Sequence, residues 1–178
     1  MKMSKFLGIM VVGAMVCAVS GTGMGAELLF KDYNAVVVQT FGVPTTVPAP
    51  DGSGAQIADA VVYQVRRYSQ QHSLFDMVIK DGTAQVPVGK KVLLIKGEVR
   101  EYTRPTVGRR IGRGFIPGGE YTGTAYFAAH YQFIDKATGK IIDEQDIRTS
   151  STGSADTVEY AMQRNAEAAA KFIYKNKK

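Results

Sequence analysis

Residues 92–102 read VLLIKGEVREY and residues 124–134 read TAYFAAHYQFI, and these two stretches decide the fold. In the first, Leu93, Ile95, Gly97 and Val99 alternate with Lys96, Glu98 and Arg100. In the second, Ala125, Phe127, Ala129, Tyr131 and Phe133 alternate with Thr124, Tyr126, His130 and Gln132. Successive strand residues point to opposite faces, so a period of two marks strands with one buried side. A sheet with one apolar face needs a cover, and an amphipathic pattern stands before this unit and another after it.

Upstream, Tyr33–Phe41 contains Ala35-Val36-Val37-Val38, a continuous β-branched run suited to a central strand. Pro44, Pro48 and Pro50 then impose an extended surface loop. Ser53-Gly54-Ala55-Gln56 matches a capping box, and a helix is predicted over Ala55–Gln70. Its apolar face holds Ile57, Ala58, Val61, Val62, Val65 and Tyr68, and His72 ends it. A second strand is predicted over Phe75–Lys80, with Phe75, Met77 and Ile79 inward. Asp81-Gly82 turns it, and Gln85–Lys90, broken by Pro87 and Gly89, is a weak strand or loop.

Downstream, Asp135–Lys140 carries Gly139 where a hairpin needs a positive φ. Ile141–Thr149 is rich in charge, which suits an edge strand because charge discourages edge-to-edge pairing. Ser154 is a candidate cap for a last helix, with Asp156 in its first turn. Val158, Ala161, Met162, Ala169, Phe172 and Ile173 form that helix's apolar stripe. The sequence therefore predicts an α+β fold in the order β-α-β-β-β-β-α. It is a single mixed or antiparallel sheet of about five strands, covered on one face by two helices.

The N-terminus reads as a secretory signal peptide spanning residues 1–26. Lys2 and Lys5 precede an apolar run, Phe6–Val19, and a small glycine-rich stretch ends at Ala26. The apolar run falls short of the roughly 20 residues that cross a bilayer. Cleavage after Ala26 is the expected processing, with Ser20 an alternative site. Acylation of Cys17 as an outer-membrane lipoprotein is a further alternative, although Ala14-Met15-Val16 is a poor lipobox. Residues 27–178 then form a single exported, periplasmic domain without cysteine, so thiol catalysis, thiolate metal sites and disulfides are excluded. Setting Lys2 and Lys5 aside leaves 20 basic and 16 acidic residues, and Lys171, Lys175, Lys177 and Lys178 account for the whole excess. That lysine-rich tail is expected to be solvated and favoured by the helix dipole.

The order of these elements resembles an exported bacterial family. A valine-rich first strand, a helix and Leu94-Ile95-Lys96-Gly97-Glu98-Val99 come first, then a Gly/Arg loop, an Asp135…Thr138-Gly139 turn and an alanine-rich helix. The pattern looks like domain-of-unknown-function family 4410, envelope proteins many of which are lipoproteins. The resemblance covers about residues 33–174. It implies an α+β fold and an envelope location, and it supplies no catalytic or binding residues.

Motifs of known chemistry are missing. There is no Gly-x-Ser-x-Gly elbow, His-Glu-x-x-His pair, Walker loop or dinucleotide fingerprint. His72 and His130 have no third ligand at motif spacing, so no metal and no cofactor is expected. Of the acids Asp143, Glu144 and Asp146, only Glu144 and Asp146 can converge on one strand face. The strongest functional signal is the loop 104–123, with Arg104, Arg109, Arg110 and Arg113 among six glycines. Guanidinium forks and accessible glycine backbone suit an anionic group, and long loops without structure of their own are commonly functional. Gly108–Gly114 also resembles nucleic-acid-binding arginine-glycine segments, but export argues against that partner. The expected function is noncatalytic: an envelope protein that binds a protein partner or an anionic surface through this loop. The alternative is a hydrolase of an envelope substrate working through carboxylates.

Overall fold

The computed structural model describes residues 28–106, 108, 122–152 and 155–178. The elements are β1 (Ala35–Val38), α1 (Ser53–His72), β2 (Met77–Lys80), β3 (Val92–Thr103), β4 (Thr122–Asp135), β5 (Ile141–Thr152) and α2 (Val158–Lys177). The five strands form the expected single mixed sheet, in the spatial order β2-β1-β3-β4-β5, with the charged last strand at an edge as its composition predicts. β1 lies parallel to both neighbours, and β3, β4 and β5 are antiparallel.

The core lies between one sheet face and the two helices. Leu93, Ile95, Val99, Ala125, Phe127, Ala129, Tyr131 and Phe133 are all buried there, matching the predicted inward face. Past Val99 the register shifts around Arg100, and this bulge returns Tyr102 to the core side. Phe30, Phe133 and Phe172 pack with ring centroids 5.2–5.9 Å apart and close the core beneath α2. Tyr131 lies wholly inside, where its hydroxyl donates to Asn165 Oδ1 at 2.6 Å, and burial pushes that hydroxyl's pKa up. On the opposite sheet face Val37, Leu94 and Ile134 form a second, small cluster with Val86 from the β2–β3 connection. β1 is thus apolar on both sides, as a parallel strand covered on both faces must be.

Several local expectations fail for identifiable reasons. The Ser53–Gln56 capping box does not form. Gly52 is the N-cap at φ 82°, and Ser53 is already helical and buried, its hydroxyl donating to the Pro50 carbonyl at 2.7 Å. On β2 it is Val78, not Met77 and Ile79, that enters the main core. Parallel pairing sets Val78 beside Val36, so the parity of β1 decides which side of β2 is buried. Thr157 caps α2 by accepting from the Tyr160 N–H at 3.1 Å, and Asp156 lies just outside the helix. Ser154 falls outside the described residues.

Three of the four tail lysines, Lys171, Lys175 and Lys178, are exposed as expected, and Lys177 is the exception. Lys177 donates from Nζ to the carbonyls of Lys31 at 2.8 Å and Tyr33 at 2.6 Å, and it sits 5.1 Å from the Phe75 ring centroid. Burial lowers its pKa below the ordinary lysine value.

Candidate functional site

β1 pairs with β3 only over Val92–Ile95, and the Gly42 bridge extends that edge as far as Glu98. Beyond it, β3, β4 and β5 run on alone and carry the 104–123 loop at their free end. Arg104 is exposed there, its guanidinium carbon 5.9 Å from the Tyr102 ring centroid. Arg109, Arg110 and Arg113 lie outside the described residues, so Arg104 is the one predicted site arginine that the structure positions.

The root of this loop is held by residues that sequence reading did not single out. The Asp156 carboxylate accepts from the Thr124 N–H at 2.7 Å, the Thr124 hydroxyl at 2.8 Å, the Ala125 N–H at 3.2 Å and the Ser151 hydroxyl at 2.7 Å. Burial alone would raise this carboxyl's pKa, but those donors outweigh it and hold the group far below the usual carboxylate range. The start of β4, the end of β5 and the N-terminus of α2 are thereby joined at one point. On β3, the Tyr102 hydroxyl reaches Glu159 at 3.4 Å, and burial is the main reason its pKa rises. Across the sheet, Arg148 donates to Glu101 from Nε at 2.7 Å and Nη2 at 3.2 Å, with its guanidinium 4.3 Å from the Tyr126 ring centroid. In the sequence Asp156 looks like an ordinary first-turn acid, and nothing there announces its four donors.

Beyond the small Val37, Leu94 and Ile134 cluster, the helix-free face of β3, β4 and β5 is polar and internally paired. His130 Nδ1 lies 2.9 Å from Asp146 Oδ1, and its Nε2 lies 3.5 Å from Glu144 Oε1. Glu144 and Asp146 do converge, and they converge on a cross-strand partner. Gln132 donates to Glu144 at 2.6 Å, and Arg100 donates to Glu98 at 2.5 Å. At the outer edge of the sheet, Asn165 and Arg164 of α2 donate to the carbonyls of Ile147 and Ser150, each at 2.7 Å. Those contacts block part of the β5 edge from pairing with another strand.

Among the described residues, no group of three or more His, Cys, Asp or Glu side chains is placed to hold a metal. A hollow of about 430 Å³ opens between the helices beside Asp59, Tyr63, Glu159 and Gln163, with Asp59 paired to Lys80 at 2.8 Å. No described helix is long and apolar enough to cross a membrane.

No family model and no curated protein matches this sequence, so the resemblance to family 4410 is not confirmed. Solved structures do match. A dodecameric PelC variant from Paraburkholderia phytofirmans is 16% identical with a TM-score of 0.50, over 81% of this chain and 87% of that one. A second PelC dodecamer from the same organism is 9% identical with a TM-score of 0.46, over 83% and 90%. A Xanthomonas campestris protein of domain-of-unknown-function family 330 is 10% identical with a TM-score of 0.48, over 80% and 83%. At such identities the likeness to the PelC variant shows a shared fold.

Proposed function

We propose that this protein is a noncatalytic binding module of the bacterial cell envelope whose binding element is the 104–123 loop. The observation that carries this reading is the fixed root of a long, arginine-rich connection. Asp156 ties the first residues of β4 to β5 and α2, while Tyr102 ties the end of β3 to Glu159. A rigid frame presenting a long loop at the free end of three strands is how many scaffolds display binding segments. The arginines of the loop suit a carboxylate- or phosphate-bearing group on an envelope protein or an anionic surface. The opposing reading, a hydrolase, would draw on Glu144 and Asp146, and both are engaged with His130.

Capture from solubilised envelope tests the proposal. The exported chain and a variant with Arg104, Arg109, Arg110 and Arg113 changed to Gln are immobilised in parallel and washed through a salt gradient. The wild type should retain a specific species that the variant loses at every salt concentration, with unchanged thermal stability. Equal retention by both chains removes the loop from the function.

A further inference from the structure

At the opposite end of the sheet from the loop, five separate segments meet. The Phe30 N–H donates to the Asn176 carbonyl at 2.9 Å, which joins the first described residues to the end of α2. Asn34 N–H donates to the Lys91 carbonyl at 2.8 Å, and Asp76 N–H donates to the Asn34 carbonyl at 2.8 Å. The Tyr33 hydroxyl donates to Asp135 at 2.9 Å, and Lys136 N–H donates to the Val92 carbonyl at 3.0 Å, bringing in the β4–β5 turn.

This meeting point gathers lysine. Lys31 comes from the N-terminal segment, Lys90 and Lys91 from the start of β3, and Lys136 and Lys140 from the β4–β5 turn. Lys175, Lys177 and Lys178 come from the end of α2. These are eight of the eleven lysines that follow residue 27, and the carboxylates beside them are Asp32, Asp76 and Asp135. Asp76 is taken by Lys90, and Asp32 stands 3.7 Å from Lys91. Asp135 is taken by Tyr33 and by the Ala137 and Thr138 N–H groups of its own turn. Among the described residues Lys31, Lys136, Lys140 and Lys175 therefore have no carboxylate partner, and all four are exposed. Leu29 stands beside them, 40% exposed, as an apolar contact.

We infer that this lysine pole is a docking surface for an anionic lipid membrane. Compact, strongly hydrated ammonium groups on flexible stems suit a headgroup layer, where geometry is loose and charge density is high. The path of the chain agrees with this, because residue 28 leaves the domain from the pole, so a chain acylated at Cys17, the lipoprotein alternative, would hold this end against its membrane. β3 begins at the pole and ends at the loop root, so the arginines of the loop start about 35 Å away along its twelve residues. With the pole on the headgroups, the loop root at Tyr102 and Thr124 lies at the end of the sheet away from the lipid.

Vesicle sedimentation of the exported chain tests this. On phosphatidylglycerol–phosphatidylethanolamine vesicles the wild type should bind and be released by added salt, and on phosphatidylcholine vesicles it should not bind. Changing Lys31, Lys136, Lys140, Lys175 and Lys178 together to Gln should lower partitioning by roughly a hundredfold or more. The same five changed to Arg should retain binding, which separates charge from folding. Lys80→Gln and Lys96→Gln together, lysines that lie outside the pole, should leave partitioning unchanged. Undiminished binding of the Gln set, equal binding to neutral vesicles, or an equal loss with the Lys80 and Lys96 changes would each overturn the inference.

Discussion

Asp156 holds Thr124 twice, through the backbone N–H at 2.7 Å and through the hydroxyl at 2.8 Å. The carboxylate lies just before α2, so this one contact fixes where the last helix begins relative to the first residues of β4. Charged hydrogen bonds of this kind contribute about 1.5–3 kcal/mol each when a partner is removed. Asp156→Ala should lower unfolding free energy by at least about 2 kcal/mol, and Asp156→Asn by less, because the amide oxygen still accepts. Urea unfolding of the two variants checks the order, and an Asn variant as weak as the Ala variant would refute it.

The same carboxyl predicts an acid dependence. Its native pKa is held below the unfolded value by the Ser151, Thr124 and Ala125 donors, against the opposing effect of burial. A depressed carboxyl contributes stability that is fully present above its unfolded pKa of about 3.9 and is lost as pH falls towards the native value. Between pH 5 and 2, roughly, the wild type should lose stability faster than Asp156→Asn. Parallel curves for the two proteins across that range would place the acid sensitivity elsewhere.

Gly97 owes its place to Phe41. A Cβ on Gly97 would fall 2.1 Å from Phe41 Cε1 and 2.4 Å from Cδ1, since the ring lies directly on the strand. Phe41 also packs edge-on against Tyr131, with centroids 5.2 Å apart, so the ring has little room to retreat. Gly97→Ala should cost about 1–3 kcal/mol, the usual penalty for overpacking. Phe41→Leu in the same chain should recover part of that loss by vacating the space, and thermal melts of the single and double variants measure the recovery.

The sequence shows most where a pattern answers to a single neighbour. In β3 and β4 the alternation of Leu93 to Val99 and of Ala125 to Phe133 names the buried face directly, because those strands have one covered side over most of their length. In β2 Val78 competes with Met77 and Ile79 for the core, and only its pairing with Val36 on a distant strand selects it. Phe75, just before the strand, is buried in the core as the alternation expects. The caps fail in the same way: Ser53 and Gln56 have the right spacing, but Gly52 at φ 82° starts the helix one residue earlier than that motif needs. The Asp156 centre and the lysine pole depend on segments up to 146 residues apart, as Lys177 and Lys31 are. No local window contains such a relationship. For the loop arginines, composition named all four, and the structure adds the anchored root from which Arg104 emerges.

Phe127 and His130 are three residues apart on β4 and stand on opposite faces, Phe127 fully buried and His130 beside Asp146 on the polar side. Phe127→Ala removes an aromatic from a closed core and should cost about 3–5 kcal/mol. His130→Ala removes an exposed cross-strand pair and should cost about 1 kcal/mol or less. Denaturant midpoints that fall together for the two variants would mean the faces are assigned wrongly.

Lys177 and Lys175 sit two residues apart on the last turn of α2 and should behave differently. Lys175 is exposed, and its replacement by Ala should change stability by no more than about 0.5 kcal/mol. Lys177 bridges the carbonyls of Lys31 and Tyr33 and covers the Phe75 ring, so Lys177→Ala leaves two acceptors without their donor and should cost about 1–3 kcal/mol. Lys177→Met keeps the stem and the ring contact while deleting the donor, which isolates the hydrogen bonds from the packing. Burial lowers the Lys177 pKa, opposed in part by Asp32 and Asp76. The unfolded chain therefore binds this proton more tightly than the native one, and stability rises with pH between the lowered native value and the ordinary 10.5. Through that alkaline interval the wild type should gain on Lys177→Met, the reverse of the acid trend at Asp156. Guanidinium midpoints of wild type, Lys175→Ala, Lys177→Ala and Lys177→Met at neutral and alkaline pH decide the matter. Equal midpoints for the two Ala variants would return the end of α2 to the solvent.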